Sequence, residues 1–396
     1  MAEPKSLPIL SQRGGGPTAT LRQRLLTRSP FRQCRHSSRE HQLRRVIGGI
    51  SLGLGVALLV LGVLARPVLY DRLATVSLDQ KSESVSEGQN MSALRVWAGG
   101  DKVSHYDPLT DVTLRSTRKV VGIPGEVKNA GGNNAFWQTA VRSEAVGIAD
   151  LTYSNEGVSF DRRSGTATNC CGDFKTVPKD PANPLGPMVD EPVTREGLYF
   201  KFPFAVEKKT YKWWDGDLNA AADMKFLREE SLFGTGTYVF QQVTPVREVA
   251  ERDVPAGVFG KDSGDVRAKV MYGNVRTLWV EPNTGVIIKG QENLDKSLVS
   301  DLGTVVTTKG VIGYTDKTVR ENASTWGSKG RLLGFIGGPL MPLGIGLGLL
   351  LGALGVYLLM SRREPAVAPS RGSGHGRNAG GVDALESQLG GSGRRP

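Results

Sequence analysis

The chain has 396 residues, three cysteines and a formal charge of +11, enough length for a sizeable core in one large domain or two. That charge would suit a nucleic-acid binder, but its distribution excludes one. Residues 1–45 hold ten Lys/Arg against two acids, residues 361–396 hold six against three, and residues 66–331 balance 34 against 34. A neutral body between two basic tails fits a membrane protein obeying the positive-inside rule.

Residues 1–45, rich in Arg, Ser, Gln and Gly, are expected to form a disordered basic tail, each charge adding about 1 kcal/mol of attraction to anionic headgroups. Val46–Ala65 (VIGGISLGLGVALLVLGVLA) follows without a charge. As a helix it is roughly 30 Å long, the hydrocarbon thickness of a bilayer. A cleaved signal peptide ending at Val63-Leu64-Ala65 fits less well, because the run exceeds a usual h-region and 45 residues precede it.

The body, 66–331, reads mostly as antiparallel β. Leu94–Trp97, Val158–Phe160, Tyr199–Phe202, Tyr238–Phe240 and Val275–Val280 alternate or are rich in β-branched and aromatic residues. Two hairpins share one pattern, Phe160–Ala167 (FDRRSGTA) and Val280–Ile287 (VEPNTGVI): strand, acid, two variable residues, Ser or Thr, Gly, strand. Pro178, Pro181, Pro184, Pro187 and Pro192 keep 178–197 out of helix interiors and central strands, predicting a long loop or a subdomain joint. Helices are predicted near 217–230 and 316–331.

Leu332–Met360 is the second uncharged run. Arg44 and Arg45 precede the first run and Arg362 and Arg363 follow the second, so both termini are expected in the cytoplasm and 66–331 outside, in a two-pass cell-membrane protein. Residues 361–396, rich in Gly, Ser and Arg, predict a second disordered tail. The pairs Gly49/Gly53 and Gly334/Gly338 and the series Gly344/Gly348/Gly352 have small-xxx-small spacing, predicting close packing of the spans within one chain or between copies of a homo-oligomer.

Catalytic chemistry is poorly supplied. His36, His41 and His375 lie in the tails, leaving only His105 in the body. No nucleophile elbow, phosphate loop, EF-hand or usual His/Cys zinc set is present, so no cofactor, metal or enzyme activity is expected. Acids are plentiful, which leaves a carboxylate-dependent envelope hydrolase as a lesser alternative, and Asp101, Asp107 and Asp111 read best as a solvated loop.

The tract Gly197–Leu218 (GLYFKFPFAVEKKTYKWWDGDL) interleaves aromatics with lysines. One reading is a ligand surface for a lipid headgroup or glycan, carried by Lys201, Lys208, Lys209, Tyr211, Trp213 and Trp214, with rings stacking and ammonium groups meeting charge. The blander reading, favoured about two to one, is a core strand followed by an amphipathic segment near the membrane surface. Cys170 and Cys171 are adjacent, and Cys34 is expected across the membrane from them. They can pair with each other, pair with another chain or stay free. Neighbouring Cα atoms are about 3.8 Å apart, below the usual disulfide span, so a vicinal bridge needs a tight turn. Gly172 follows, and a structural vicinal disulfide is the favoured state; no C-x-x-C suggests redox catalysis.

The runs Arg66-Pro67-Val68-Leu69-Tyr70, Leu73-Ala74 and Leu78-Asp79, with NCCGD at 169–173, GLYFKFPFAVEKKTYKWWD at 197–215 and RTLWVEPNTGVIIKGQE at 276–292, together resemble the actinobacterial envelope proteins catalogued as the porin PorA family. The resemblance spans most of the chain, from the first uncharged run to the second. It implies a two-span membrane protein with an extracytoplasmic domain, no established activity and no assigned catalytic residues. The expected architecture is therefore α+β: two transmembrane helices flanking a large, mostly antiparallel β-rich domain. The expected role is non-enzymatic binding or scaffolding in the envelope, with membrane lipids as neighbours and a lipid or glycan as ligand. An oligomeric porin-like channel is the alternative, although uncharged helices lack the polar stripe that would line a water-filled path.

Overall fold

The computed structural model describes residues 31–98, 104–180, 183 and 185–361. They fall into two compact units, one of residues 50–354 and one of residues up to 49 with those from 355. Residues 1–30 and 362–396 of the expected tails, Asp101 and His375 lie outside the described residues.

Helix α1 runs Phe31–Leu64, so it begins inside the stretch expected to lack regular structure. It widens into a π-helical turn, Ala65–Tyr70, where Pro67 cannot donate to the α ladder, and ends in the short α2, Asp71–Leu73. Near the chain ends α3 spans Asp316–Gly337 and α4 Leu340–Met360. The second uncharged run is thus divided at Gly338-Pro339, and its first residues, Leu332 to Gly337, belong to α3. Among the described residues, two helical stretches are apolar and long enough to cross a membrane, His41–Leu73 and Leu340–Met360.

Of the glycines that the spacing singled out, the series Gly344, Gly348 and Gly352 on α4 meets α1, but Gly49 and Gly53 on α1 do not take part. A Cβ on Gly49 or Gly53 would meet nothing within 4 Å. Within residues 50–354 the close approaches are Gly55 on Gly348 and Gly352, and Gly62 on Gly344 and Ile345. In the other unit Gly48 packs on Gly355, Leu358 and Leu359. Gly55 and Gly62 are seven residues apart, which keeps one stripe of a helix facing its neighbour.

Between these helices the described residues form twelve strands: β1 Lys81–Ala98, β2 Ser104–Gly122, β3 Asn134–Ala145, β4 Ala149–Asp161, β5 Phe174–Pro178, β6 Met188–Pro192, β7 Tyr211–Asp215, β8 Ala220–Leu232, β9 Thr235–Pro255, β10 Asp265–Val280, β11 Ile287–Ser300 and β12 Gly303–Tyr314. Their order is β6-β5-β4-β3-β2-β1-β12-β11-β10-β9-β8-β7. Every neighbouring pair is antiparallel, so two six-stranded meanders meet where the first strand pairs with the last. Isolated bridges, Thr166 to Leu198 and Leu198 to Trp213, link the outer strands, and the sheet curls into a half-barrel.

Two predicted elements differ. Residues 217–230, rich in helix formers, are mostly strand β8. Its pairing with β7 and with the aromatic face of β9 (Phe226 opposite Phe240) outweighs local propensity. Tyr199–Phe202 alternates like a strand but is not one. The alternation divides between two cores: Leu198, Phe202 and Val206 join Trp213, Phe240 and Leu278, while Phe200 and Phe204 pack with Trp137, Phe160 and Val120. The Pro-rich segment contains edge strand β6, all of it exposed, with Pro192 at its end.

Helix α3 docks on the sheet through a glycine stripe. Added methyls on Gly327, Gly330, Gly334 and Gly337 would strike Thr235, Glu281, Asn283 and Tyr70 respectively. Gly334 thus serves the β domain rather than a helix–helix contact. Gly330→Ala should lower stability by about 1–3 kcal/mol despite a helix-propensity gain near 1 kcal/mol, because Glu281 is fixed in its turn. Gly53→Ala is the control, and thermal unfolding in detergent compares them.

Candidate functional site

The two hairpin turns foreseen in the sequence adopt the same geometry. In the first, the Asp161 carboxylate accepts from the Arg163 and Ser164 amides and the Ser164 hydroxyl at 2.7–3.0 Å. In the second, Glu281 accepts from the Thr284 amide and hydroxyl at 2.7 and 2.6 Å and from Asn283. Gly165 and Gly285 close the turns at φ 74° and 73°. Against the cost of burial, the hydrogen bonds from Ser164 and Arg163 hold the Asp161 carboxyl below its ordinary value.

Segment 197–206 is threaded between these turns. The Phe202 amide donates to the Gly285 carbonyl at 2.8 Å, Val206 to Pro282 at 2.7 Å and Phe204 to Arg163 at 3.2 Å. The fit leaves no room for a Cβ on either glycine: one at Gly165 would sit 2.8 Å from the Lys201 carbonyl oxygen, and one at Gly285 would strike the Phe202 and Pro203 carbonyls.

A cavity of about 450 Å³ lies beneath α3, walled by Trp137, Phe200, Phe204, Ile287, Trp326 and Leu333. It reaches Leu73, at the end of the helical stretch from α1, and Leu332, near the end of α3. Lys201 also lines it and is only 4% exposed. The Lys201 Nζ has no hydrogen-bond partner among the described residues and lies 3.9 Å from the centroid of the Phe204 ring. Burial pushes this ammonium down to about 7, with Asp161 opposing the shift.

The remaining tract residues do not share a surface. Trp213 and Trp214 are each 5% exposed and offer no face for stacking. Tyr211 packs on Phe202 and Phe240, and its hydroxyl accepts from the Glu207 amide. Lys208 and Lys209 are exposed and paired with Glu229 and Glu207. Of the six candidate residues only Lys201 reaches the cavity, and the sequence signal for it was a lysine at an alternating position inside an aromatic run.

Cys170 and Cys171 are joined as a vicinal disulfide with Cα atoms 3.7 Å apart, flanked by Asn169 and Gly172 in left-handed conformations. Their loop is anchored on Arg195, which sequence reasoning missed. The Asn169 side chain exchanges two 2.8 Å hydrogen bonds with the Arg195 backbone, and the Cys170 amide donates to the Ser159 hydroxyl. The Arg195 guanidinium, 1% exposed, donates to Glu156 at 2.6 Å and to the Gly157 and Phe174 carbonyls at 3.1 Å, 3.7 Å from Asp173. A second buried cluster in the other meander answers its own charges: Asp215 accepts from Tyr272 and Arg276, and Arg276 bridges to Glu292 and Gln242. In each cluster one buried guanidinium is shared by two carboxylates, which marks both as structural. Asp107 accepts from the Trp97 indole and pairs with Arg95. Among the described residues no three His, Cys, Asp or Glu side chains converge on a metal position.

A family model described as Porin PorA matches residues 47–357. The chain belongs to the porin PorA family. Two proteins named Porin PorA are similar to it. One, from Corynebacterium amycolatum, is 23% identical over 348 residues, covering 73% of this chain and 89% of that protein. The other, from Corynebacterium resistens, is 23% identical over 321 residues, covering 64% and 77%. The PorA-family match takes in the half-barrel, α3, the cavity and most of both apolar helices, and leaves the basic tails outside.

Proposed function

We propose that this PorA-family chain is a non-enzymatic binding protein of the cell envelope, anchored by α1 and α4, whose half-barrel takes a lipid chain into the cavity beneath α3. The basic tails on either side of the spans support a topology with both termini in the cytoplasm and the half-barrel outside. The observation that carries the reading is the cavity itself: largely apolar walls, a volume inside the roughly 300–1,000 Å³ range of small-molecule sites, and Leu73 and Leu332 at its rim beside the roots of the two apolar helices. With those helices in a bilayer, the rim stands next to acyl chains.

Native mass spectrometry of gently extracted protein tests this, comparing wild type with the cavity-filling variant Val286→Trp. The expected result is a stoichiometric lipid adduct on the wild type that the folded variant lacks. Bare wild-type protein, or an adduct untouched by the substitution, overturns the reading.

The second reading is a channel, and the name of the relatives favours it. It requires an oligomer, because α1 and α4 bring glycines and leucines but no polar stripe. Stepwise conductance from purified protein in planar bilayers, unchanged by Val286→Trp, supports the channel over the cavity.

A further inference from the structure

We infer that the cavity selects an acyl chain bearing one acidic head group, a carboxylate or a phosphate ester, and that the Lys201 ammonium is the group that recognises it. The inference rests on the lipid-binding reading and narrows it. Lys201 stands apart from the other charges at the cavity wall. On β2, Arg118 donates to the Thr139 hydroxyl at 3.0 Å and lies over Tyr199 and Phe200. On α3, Lys329 lies 4.4 Å from the Trp326 centroid. On β1, Glu83 is exposed and pairs with Lys119. Asp161, in the turn after β4, is committed to its own backbone amides. Tyr314 on β12 contributes a phenol ring.

Lys201 is a buried cation with no donor filled among the described residues, whereas Arg195, whose Nε is also unfilled, donates through both of its terminal nitrogens. An ammonium has three donors, and burying it without acceptors is costly. A lipid carboxylate or phosphate supplies both acceptors and counter-charge, while its chain lies along Trp137, Trp326 and Leu333. The Phe204 ring covers Nζ, so entry of a head group turns that ring aside. Because the unliganded amine sits near neutrality and an anion raises it again, binding takes up a proton. Affinity for an anionic lipid then falls about tenfold per pH unit from about 7 upward, until the liganded amine itself titrates.

The test uses the full chain in neutral detergent with palmitate, hexadecyl phosphate and hexadecanol as probes, read by tryptophan fluorescence, since Trp137 and Trp326 line the cavity. Wild type is expected to bind at least one anionic probe about ten- to a hundredfold tighter than the alcohol, and whichever anion wins identifies the head group. Lys201→Met is expected to bind all three alike, with no pH dependence between about 7 and 9; Lys201→Arg should keep a preference for the anions. A preference that persists in Lys201→Met, or equal binding of all three probes by wild type, overturns the assignment while leaving the cavity reading in place. Failure of every probe to bind overturns both.

Discussion

Replacing Lys201 by methionine is expected to stabilise the lipid-free β domain by about 3–4 kcal/mol at pH 7. The amine titrates near 7 in the folded protein and near 10.5 in an unfolded chain. Between those values the unfolded state binds more protons, so wild-type stability rises with pH across that window and the lysine's penalty is largest at and below about pH 7. Methionine keeps the length and apolar stem without the charge. Chemical denaturation followed by tryptophan fluorescence at pH 7 and pH 10 should show a wild-type gain with pH that the variant lacks. Parallel behaviour of the two proteins would mean that Lys201 is already solvated or paired. A residue that costs this much in the empty protein is easier to understand as a binding group than as a structural one.

Arg195→Met should cost about 3–5 kcal/mol, the usual consequence of removing one member of a buried ion cluster. The loss strands Asp173, whose side chain is 2% exposed, and removes the cation facing Glu156. Burial already raises the Asp173 carboxyl, and the Ser159 hydrogen bonds and the Arg195 charge hold that rise back. Without the guanidinium it rises further. A group whose folded value exceeds its unfolded one favours folding at low pH and loses that contribution as pH rises. The variant's deficit should therefore narrow as pH falls toward the carboxylate range, and adding Asp173→Asn should recover part of it at pH 7. A deficit independent of pH, with no recovery in the double variant, would show that Arg195 acts through packing alone.

The apolar helices, β10 and both acid-to-glycine turns were legible because their signals are local: an uncharged run, a period of two, a carboxylate four residues before a glycine. Segment 197–206 misled for an instructive reason. Its alternation is real, but Phe202 and Phe200 face different cores, and its backbone bonds to turns, which a periodicity cannot report. Strand β8 is made of helix formers held extended by β9. The α3 glycines became meaningful only once Glu281 and Asn283 were seen beneath them. Arg195 is separated from Glu156 by 39 residues, and no spacing rule connects them. Lys201 was legible as a residue of interest, but the cavity that gives it a role is a product of packing.

The junction of the two meanders has a consequence for biogenesis. Strand β1 pairs on one side with β2, at hand almost at once, and on the other with β12, where Ser86 meets Tyr314. At ribosomal rates of about 5–20 residues per second, that second side stays open for on the order of ten to forty seconds. An open strand edge of this length is a template for pairing with any nascent copy nearby. The central seam is therefore the last part of the sheet to close, and its edge stays open until residue 314 has emerged.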